Sequence, residues 1–395
     1  MTDLTLPTER QQPLDPPQEL AGLRKEDPVQ RLRYPDGHLG WLVTGYAEAR
    51  AVLADPRFSN RPELAHAPIP ERLVQQRAQM TLPPGFFLRM DAPEHTRYRR
   101  LLTGQFTVRR MKELEPRVAE ITAERLDAME RSGPPAELVA DFALPIPSLV
   151  ICELLGVPYE DRERFQRDSA VLVSLESSIE DLAAAVTDLL AFLRALIERK
   201  RAEPGGDLLS GLVAGGELDD EELSGVALLL LIAGHETTAN MLALGTYALL
   251  GDPAQLAIVR DEPEAVDGAV EELLRYLSII HLGPTRTALE DVELGGHRIA
   301  EGEALTLSVP AANRDPSRFD SPDRLDLRRE AHGHLSFGHG IHQCLGQQLA
   351  RIEMRIAYPA LLRRFPGLRL AVPEGEVPMR TDMSIYGVHR LPVTW

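Results

Sequence analysis

Apolar residues spaced three and four apart recur along most of the chain and predict a largely helical protein. The clearest stretch is Asp220 to Leu250. Within it Leu228-Leu-Leu-Leu-Ile-Ala233 is apolar on every side, which requires burial through the middle of a domain. At 1.5 Å per residue this helix spans about 45 Å. Asp219 is placed to cap it, with Glu222 as the capping-box partner. The same spacing predicts helices at Tyr46–Leu53, Glu94–Phe106, Arg109–Ser132, Leu144–Leu155, Tyr159–Ser174, Ser178–Ala202, Pro253–Glu262, Glu264–Leu277 and Leu345–Phe365. Strand-like runs are short. Val29–Tyr34 and His38–Thr44 flank the turn Pro35-Asp36-Gly37. Others fall at Val292–Leu294, His297–Ile299, Ala304–Val309, Leu368–Ala371 and Val388–Leu391. Asn60–Arg89 reads as a long loop. The expected fold is mainly α with small peripheral β-sheets.

Composition narrows the class. The 395 residues hold no Gly/Ser linker or repeat, so one domain over 1–395 is expected, with a poorly ordered, proline-rich extension at 1–17. A net charge of −17 argues against nucleic acid, whose phosphates need a basic surface. Two cysteines imply no disulfide framework and fit a reducing cytoplasm. No signal peptide or membrane anchor is read at the N-terminus, and the run Val226–Ala233 is too short to span a bilayer. Cys152, in an apolar helical stretch, reads as a small buried hydrophobe.

Chemistry concentrates in four places. The first is Phe337-Gly-His-Gly-Ile-His-Gln-Cys344-Leu-Gly346, a glycine-rich loop ahead of a predicted helix. A cysteine at a helix start favours the thiolate, and a lone thiolate suits haem iron better than tetrahedral zinc. The rival reading is a zinc site drawn from His332, His334, His339, His342 and Cys344. Second, Gly234-His235-Glu236-Thr237-Thr238 interrupts the apolar helix. An acid beside an alcohol in a dry core is costly unless it has partners or a task, so a satisfied kink and a chemical role both stay open. Third, Glu272-Leu-Leu-Arg275 puts opposite charges on one helix face. Fourth, His95 and Arg99 lie one helical turn apart.

Taken in chain order, from His95 and Arg99 through the acid–alcohol helix and Glu272-Leu-Leu-Arg275 to the cysteine loop, these motifs resemble the cytochrome P-450 family, a resemblance that spans essentially the whole chain. It implies a triangular, mostly helical fold with haem b between the long central helix and the helix after the cysteine loop. Cys344 would be the axial iron ligand, pushing electron density that favours O–O cleavage. Phe337, Gly338, Gly346 and Ala233 would lie beside the porphyrin. His95, Arg99, Arg286 and His342 would meet the propionates, with Arg97 and Arg100 facing solvent. Ala92 departs from the second proline common at that turn. Thr237 would hold dioxygen and its water, Glu236 would relay protons, and His235 would only pack. Glu272, Arg275 and Arg324, the last from Phe319-Asp-Ser-Pro322-Asp-Arg324, would form a buried structural network.

The resemblance further implies a soluble, cytoplasmic, monomeric monooxygenase acting on a hydrophobic small molecule. The pocket would be lined by Leu229, Ile232, Ala233, Leu282 and Ile385, with Phe86, Phe87 and Leu88 as further candidates. Its size would depend on the Asn60–Arg89 loop and the Ser169–Ile179 connection. Electrons would come from NAD(P)H through a separate ferredoxin and ferredoxin reductase, docking on Arg100, Arg109, Arg110, Lys112 and Arg351. A haem-thiolate peroxygenase or a redox-neutral rearrangement enzyme is the nearer alternative.

Overall fold

The structure, a computed structural model, describes residues 4–70 and 82–395. Part of the early loop expected to govern pocket size, residues 71–81, therefore lies outside the described residues. The chain divides into two compact units, each built from discontinuous segments.

The first unit comprises residues up to 81, 88–97 and 271–344. Its centre is a five-stranded mixed sheet. Val29–Arg33 and Leu39–Val43 form the expected antiparallel hairpin, with Gly37 at the turn adopting φ +89°. Leu39–Val43 then runs parallel to Ala304–Leu307, which pairs antiparallel with Thr285–Ala288, and Phe58–Ser59 closes the order. The strand Thr285–Ala288 was not foreseen, because Pro284 and two threonines around Arg286 show no apolar alternation. Three of these five strands lie before residue 60. Val29, Trp41, Val43, Val52, Phe58, Leu305 and Leu307 pack beneath this sheet as one apolar core.

The N-terminal segment expected to be poorly ordered docks instead. Leu4 and Leu6 pack on the Leu20, Leu32, Tyr34 and Leu42 cluster, and the Arg33 amide donates to the Leu4 carbonyl at 2.8 Å.

The second unit is helical and is organised around Asp220–Gly251. Its capping box forms as predicted: the Glu222 amide donates to Asp219 Oδ1 at 2.9 Å and the Asp219 amide to Glu222 Oε2 at 3.1 Å. By length and composition this helix is apolar enough to cross a membrane, a point the shorter Val226–Ala233 run concealed. It is a core helix, 78% buried over its most apolar window. Helices Pro145–Leu155, Ile179–Ala202 and Gln347–Arg364 pack against it. Tyr358 of the last donates its hydroxyl to the Met241 carbonyl, and Gly245 leaves the room that this ring needs.

Several elements differ from expectation, among them the unpredicted helix Glu19–Glu26. Arg109–Ser132 is two helices, Val108–Glu113 and Glu115–Ser132, because Pro116 supplies no amide to continue the first and starts the second. Helix Leu208–Gly215, capped by Asp207 through the Ser210 amide, was missed. Val388–Leu391 is not a strand; the C-terminal strand is Pro392–Thr394, paired with Ala136–Glu137 and Arg369–Leu370.

Gln347–Arg364 also buries Glu353, which has no hydrogen-bond partner among the described residues. Burial alone holds its carboxyl well above the usual carboxylate range. In the unfolded chain the same carboxyl ionises above about pH 4.3. The folded state then binds the extra proton, and this residue's contribution to stability falls as pH rises above that point. Glu353→Gln is therefore expected to raise the melting temperature by more at pH 8 than at pH 5.5. An equal difference at both values would mean that the folded carboxyl ionises normally.

Candidate active site

The cysteine loop hangs on a buried ion pair. Arg275 donates from Nε and Nη2 to the two carboxylate oxygens of Glu272 at 2.7 and 2.8 Å, and both side chains are 0% exposed. The remaining Arg275 donor, Nη1, reaches the Asn313 and Pro322 carbonyls at 2.8 and 2.9 Å. Asn313 carries the network onward: its Nδ2 donates to Ser278 Oγ and Ser336 Oγ, and its Oδ1 accepts from the Leu335 amide at 2.7 Å. Ser336 immediately precedes Phe337, the start of the loop.

The third guanidinium is not the one expected. Arg324 is exposed and offers only its backbone carbonyl, 3.5 Å from Arg275 Nη2. Arg329 occupies the role, donating Nε to Glu272 Oε1 at 3.1 Å, where the Asp326 amide also donates at 3.0 Å. The turn after Pro322 presents backbone to the pair, and the chain needs five more residues to return a side chain to it. Asn313 was missed as well; its signal was a lone asparagine after Val309-Pro-Ala-Ala312.

From Phe337 the loop closes through the Cys344 amide, which donates to the Phe337 carbonyl at 2.8 Å. Gly338 and Gly340 take φ +68° and +73°, and at Gly340 a side chain would also collide with the Leu53 carbonyl. A non-glycine residue would be strained at either position. Cys344 is partly accessible, whereas burial pushes the Cys152 thiol up to about 12 and leaves it inert. The zinc alternative fails on geometry: among the described residues no three His, Cys, Asp or Glu groups gather as a metal would need, and His334 is bound up with Glu271 at 3.3 Å.

Two of the expected anion-binding residues meet. The rings of His95 and His342 lie with centroids 4.2 Å apart. Arg286 is buried and donates to Asn60 Oδ1 at 3.0 Å and the Thr285 carbonyl at 2.8 Å. No carboxylate pairs with it among the described residues. Burial, with Arg89 nearby, lowers its pKa to about 10. Arg89 donates Nε to the Asn60 carbonyl at 3.1 Å, so it joins this cationic group although nothing in the sequence marked it. Arg99 is half-buried, and Arg97 and Arg100 are exposed as expected.

In the second unit, every residue of the long helix from Leu223 to Leu249 is buried except Ile232, Ala233, Gly234 and Thr237. Thr237 Oγ1 donates to the Ala233 carbonyl at 2.9 Å, and Glu236 Oε2 accepts from Arg380 Nη2 at 3.2 Å. His235 packs edge-on against Phe165 with Nδ1 2.7 Å from the Leu231 carbonyl, and burial lowers its pKa.

Of the lining candidates in this unit, Ile232, Ile385 and Phe86 are partly accessible and Leu229 is buried. Phe87 instead stacks on Tyr98 as core. In the first unit, Leu282 is partly accessible, whereas Leu88, a weaker candidate, is 45% exposed at the surface. Within the Ser169–Ile179 connection, helix runs to Val173 and resumes at Ile179, within a residue of the predicted helix ends.

These residues fit an iron porphyrin. In the first unit a thiol sits on a loop with two positive-φ glycines, and a buried guanidinium has no carboxylate partner among the described residues; in the second unit the partly accessible Thr237 interrupts an otherwise buried stretch of helix.

Comparison with known proteins agrees. The family description "Cytochrome P450" matches residues 174–393. The chain is 51% identical to cytochrome P450 105C1 of a Streptomyces species, covering 99% of this chain and 98% of that protein. It is 47% identical to pentalenic acid synthase of Streptomyces avermitilis, covering 99% and 97%. The crystal structure of CYP105P1 in complex with filipin I superposes with a TM-score of 0.93 at 46% identity, covering 100% of this chain and 99% of that one. The fold is therefore the one expected from the motifs.

Arg329→Ala is expected to cost about 1–3 kcal/mol by leaving part of a buried carboxylate unpaired, lowering both melting temperature and haem content. Arg324→Ala should change neither measurably. A larger loss at 324 than at 329 in thermal melts would reverse the assignment.

Proposed function

The chain belongs to the cytochrome P450 family, and from that premise we propose which residues carry its chemistry and what it oxidises. It is a haem-thiolate monooxygenase that draws electrons from NAD(P)H through redox partner proteins. The haem supplies the oxidising chemistry that puts one atom of dioxygen into an organic substrate and releases the other as water.

In our reading Cys344 would hold the haem iron through its thiolate. His95, Arg99, Arg286 and His342 neutralise the propionates, while Phe337, Gly338, Gly346 and Ala233 leave the flat face of the macrocycle room. Arg286 suits that work because it is a buried cation with no carboxylate partner among the described residues, and a propionate would supply one. Thr237 offers a hydroxyl that can give up its bond to the Ala233 carbonyl and hold a water. Glu236, 4% exposed, is the acid that passes protons to it. The observation that carries this reading is the partly accessible Thr237, beside buried Glu236, on a helix where only Ile232, Ala233 and Gly234 share that access between Leu223 and Leu249.

The lining candidates are apolar, so the substrate is a sizeable hydrophobic molecule. Relatives named for pentalenic acid synthesis and for binding filipin support a natural product of terpenoid, polyketide or macrolide type, hydroxylated or epoxidised. A steroid-like compound or a xenobiotic belongs to the same class. We further propose a cytoplasmic, monomeric, single-domain enzyme served by a ferredoxin and its reductase. Arg109, Arg110 and Lys112, all exposed, with Arg100 and Arg351, give a local basic face to an acidic partner.

Reduced protein under carbon monoxide is expected to show the thiolate-type absorption band, and Cys344→Ser to lose it. Persistence of that band in the serine variant would assign the iron to another ligand. Thr237→Ala should divert electrons from product to released hydrogen peroxide, about tenfold or more. Turnover should require reductase and ferredoxin. Full activity with added peroxide alone would favour a peroxygenase.

A further inference from the structure

A turn near the C-terminus touches the acid of the long helix, and the family motifs give it no part in the chemistry. The turn is closed by the Met379–Val388 bridge and by the Arg380 amide, which donates to the Gly387 carbonyl at 2.9 Å. Toward the long helix, Arg380 Nη2 donates to Glu236 Oε2 at 3.2 Å, with side chains 11% and 5% accessible. Gly387 lies so close to Asn240 that a Cβ would overlap its amide oxygen. Asn240 Nδ2 in turn donates to the Glu236 carbonyl at 2.8 Å. On the other side, the Ser384 amide donates to the Val173 carbonyl and the Leu175 amide to the Asp382 carbonyl, both at 2.8 Å. These bonds fasten the turn to the end of helix Arg162–Val173. Ile385 sits between the two anchors.

Arg380 is the one cation paired with Glu236 among the described residues. A buried carboxylate needs such a partner, and the direction of that partner decides where its oxygens point. Among the described residues the guanidinium grips by one bond only, its buried Nε having no acceptor there, so a displacement of the turn moves the contact. We propose that Arg380 is a positioning residue for proton delivery: it aims the Glu236 carboxylate, and the anchoring of the turn at Gly387 against Asn240 sets that aim. This rests on the role given to Glu236 above.

The test uses full-length holoenzyme with spinach ferredoxin, its reductase and NADPH, without organic substrate, measuring hydrogen peroxide released per NADPH oxidised. Arg380→Gln should lower water formation roughly tenfold in favour of peroxide, Arg380→Lys should restore most of it, and Gly387→Ala should mimic Arg380→Gln by pushing the turn off Asn240. Haem content and melting temperature serve as folding controls. An unchanged partition in folded Arg380→Gln, or no rescue by lysine, overturns the role of Arg380; an unchanged Gly387→Ala overturns transmission through the turn. Should Arg380→Gln fail to take haem, the Glu236→Gln/Arg380→Gln pair removes both charges together. Its partition should equal that of Glu236→Gln alone, and any further change overturns the proposal. If Glu236→Gln and Thr237→Ala leave the partition untouched, the acid–alcohol reading itself has failed.

Discussion

The pairing of Glu272 with Arg275 is the constraint on which the thiol loop depends. Removing two charges from water costs several kcal/mol each, and Coulomb attraction alone seldom returns that. Here the cost is offset by direction. Each carboxylate oxygen takes one Arg275 bond, the spare guanidinium donor collects two carbonyls, and the spare carboxylate capacity takes Arg329 and the Asp326 amide. A lysine could not reproduce that fork. The pair is best understood as a template for irregular chain. It arranges residues 313–329 through their backbone groups, and through Asn313 it sets Ser336, from which the loop to Cys344 departs.

The long helix shows the opposite compromise. Apolar contact on all sides of Leu223–Leu231 holds it rigid, and the step at Ile232–Thr237 gives up burial for access. Thr237 makes the back-bond to Ala233 that usually strains or bends helices, and the same hydroxyl is then available for exchange. A polar step of this kind survives because the buried turns on either side over-determine the helix.

How much was legible in the sequence follows from the range of the interactions. The capping box, the hairpin turn at Gly37 and the apolar helix depend on neighbours three or four residues away, and spacing alone exposes them. Glu272 and Arg275 are legible for the same reason. Their third partner was misassigned to Arg324 because the deciding factor is how the turn after Pro322 orients its backbone. The strand at Pro392–Thr394 was placed too early because its pairing with Ala136–Glu137 comes from more than 250 residues away. The Arg89–Arg286 association across Asn60 and the Glu236–Arg380 contact likewise join segments that share no local pattern. Leu208–Gly215 is the exception. Asp207 ahead of Leu208, Leu209 and Leu212 was a readable cap, and the nearby glycines obscured it.

The parallel pairing of Trp41 with Leu305 has a consequence for biosynthesis. The N-terminal hairpin emerges from the ribosome early, yet the strand that covers its open edge is more than 250 residues away. Through most of translation that edge and the apolar faces of Trp41 and Val43 stay uncovered, a state prone to intermolecular strand pairing. Slow delivery of Ala304–Leu307 should therefore lengthen the interval in which that edge can mispair.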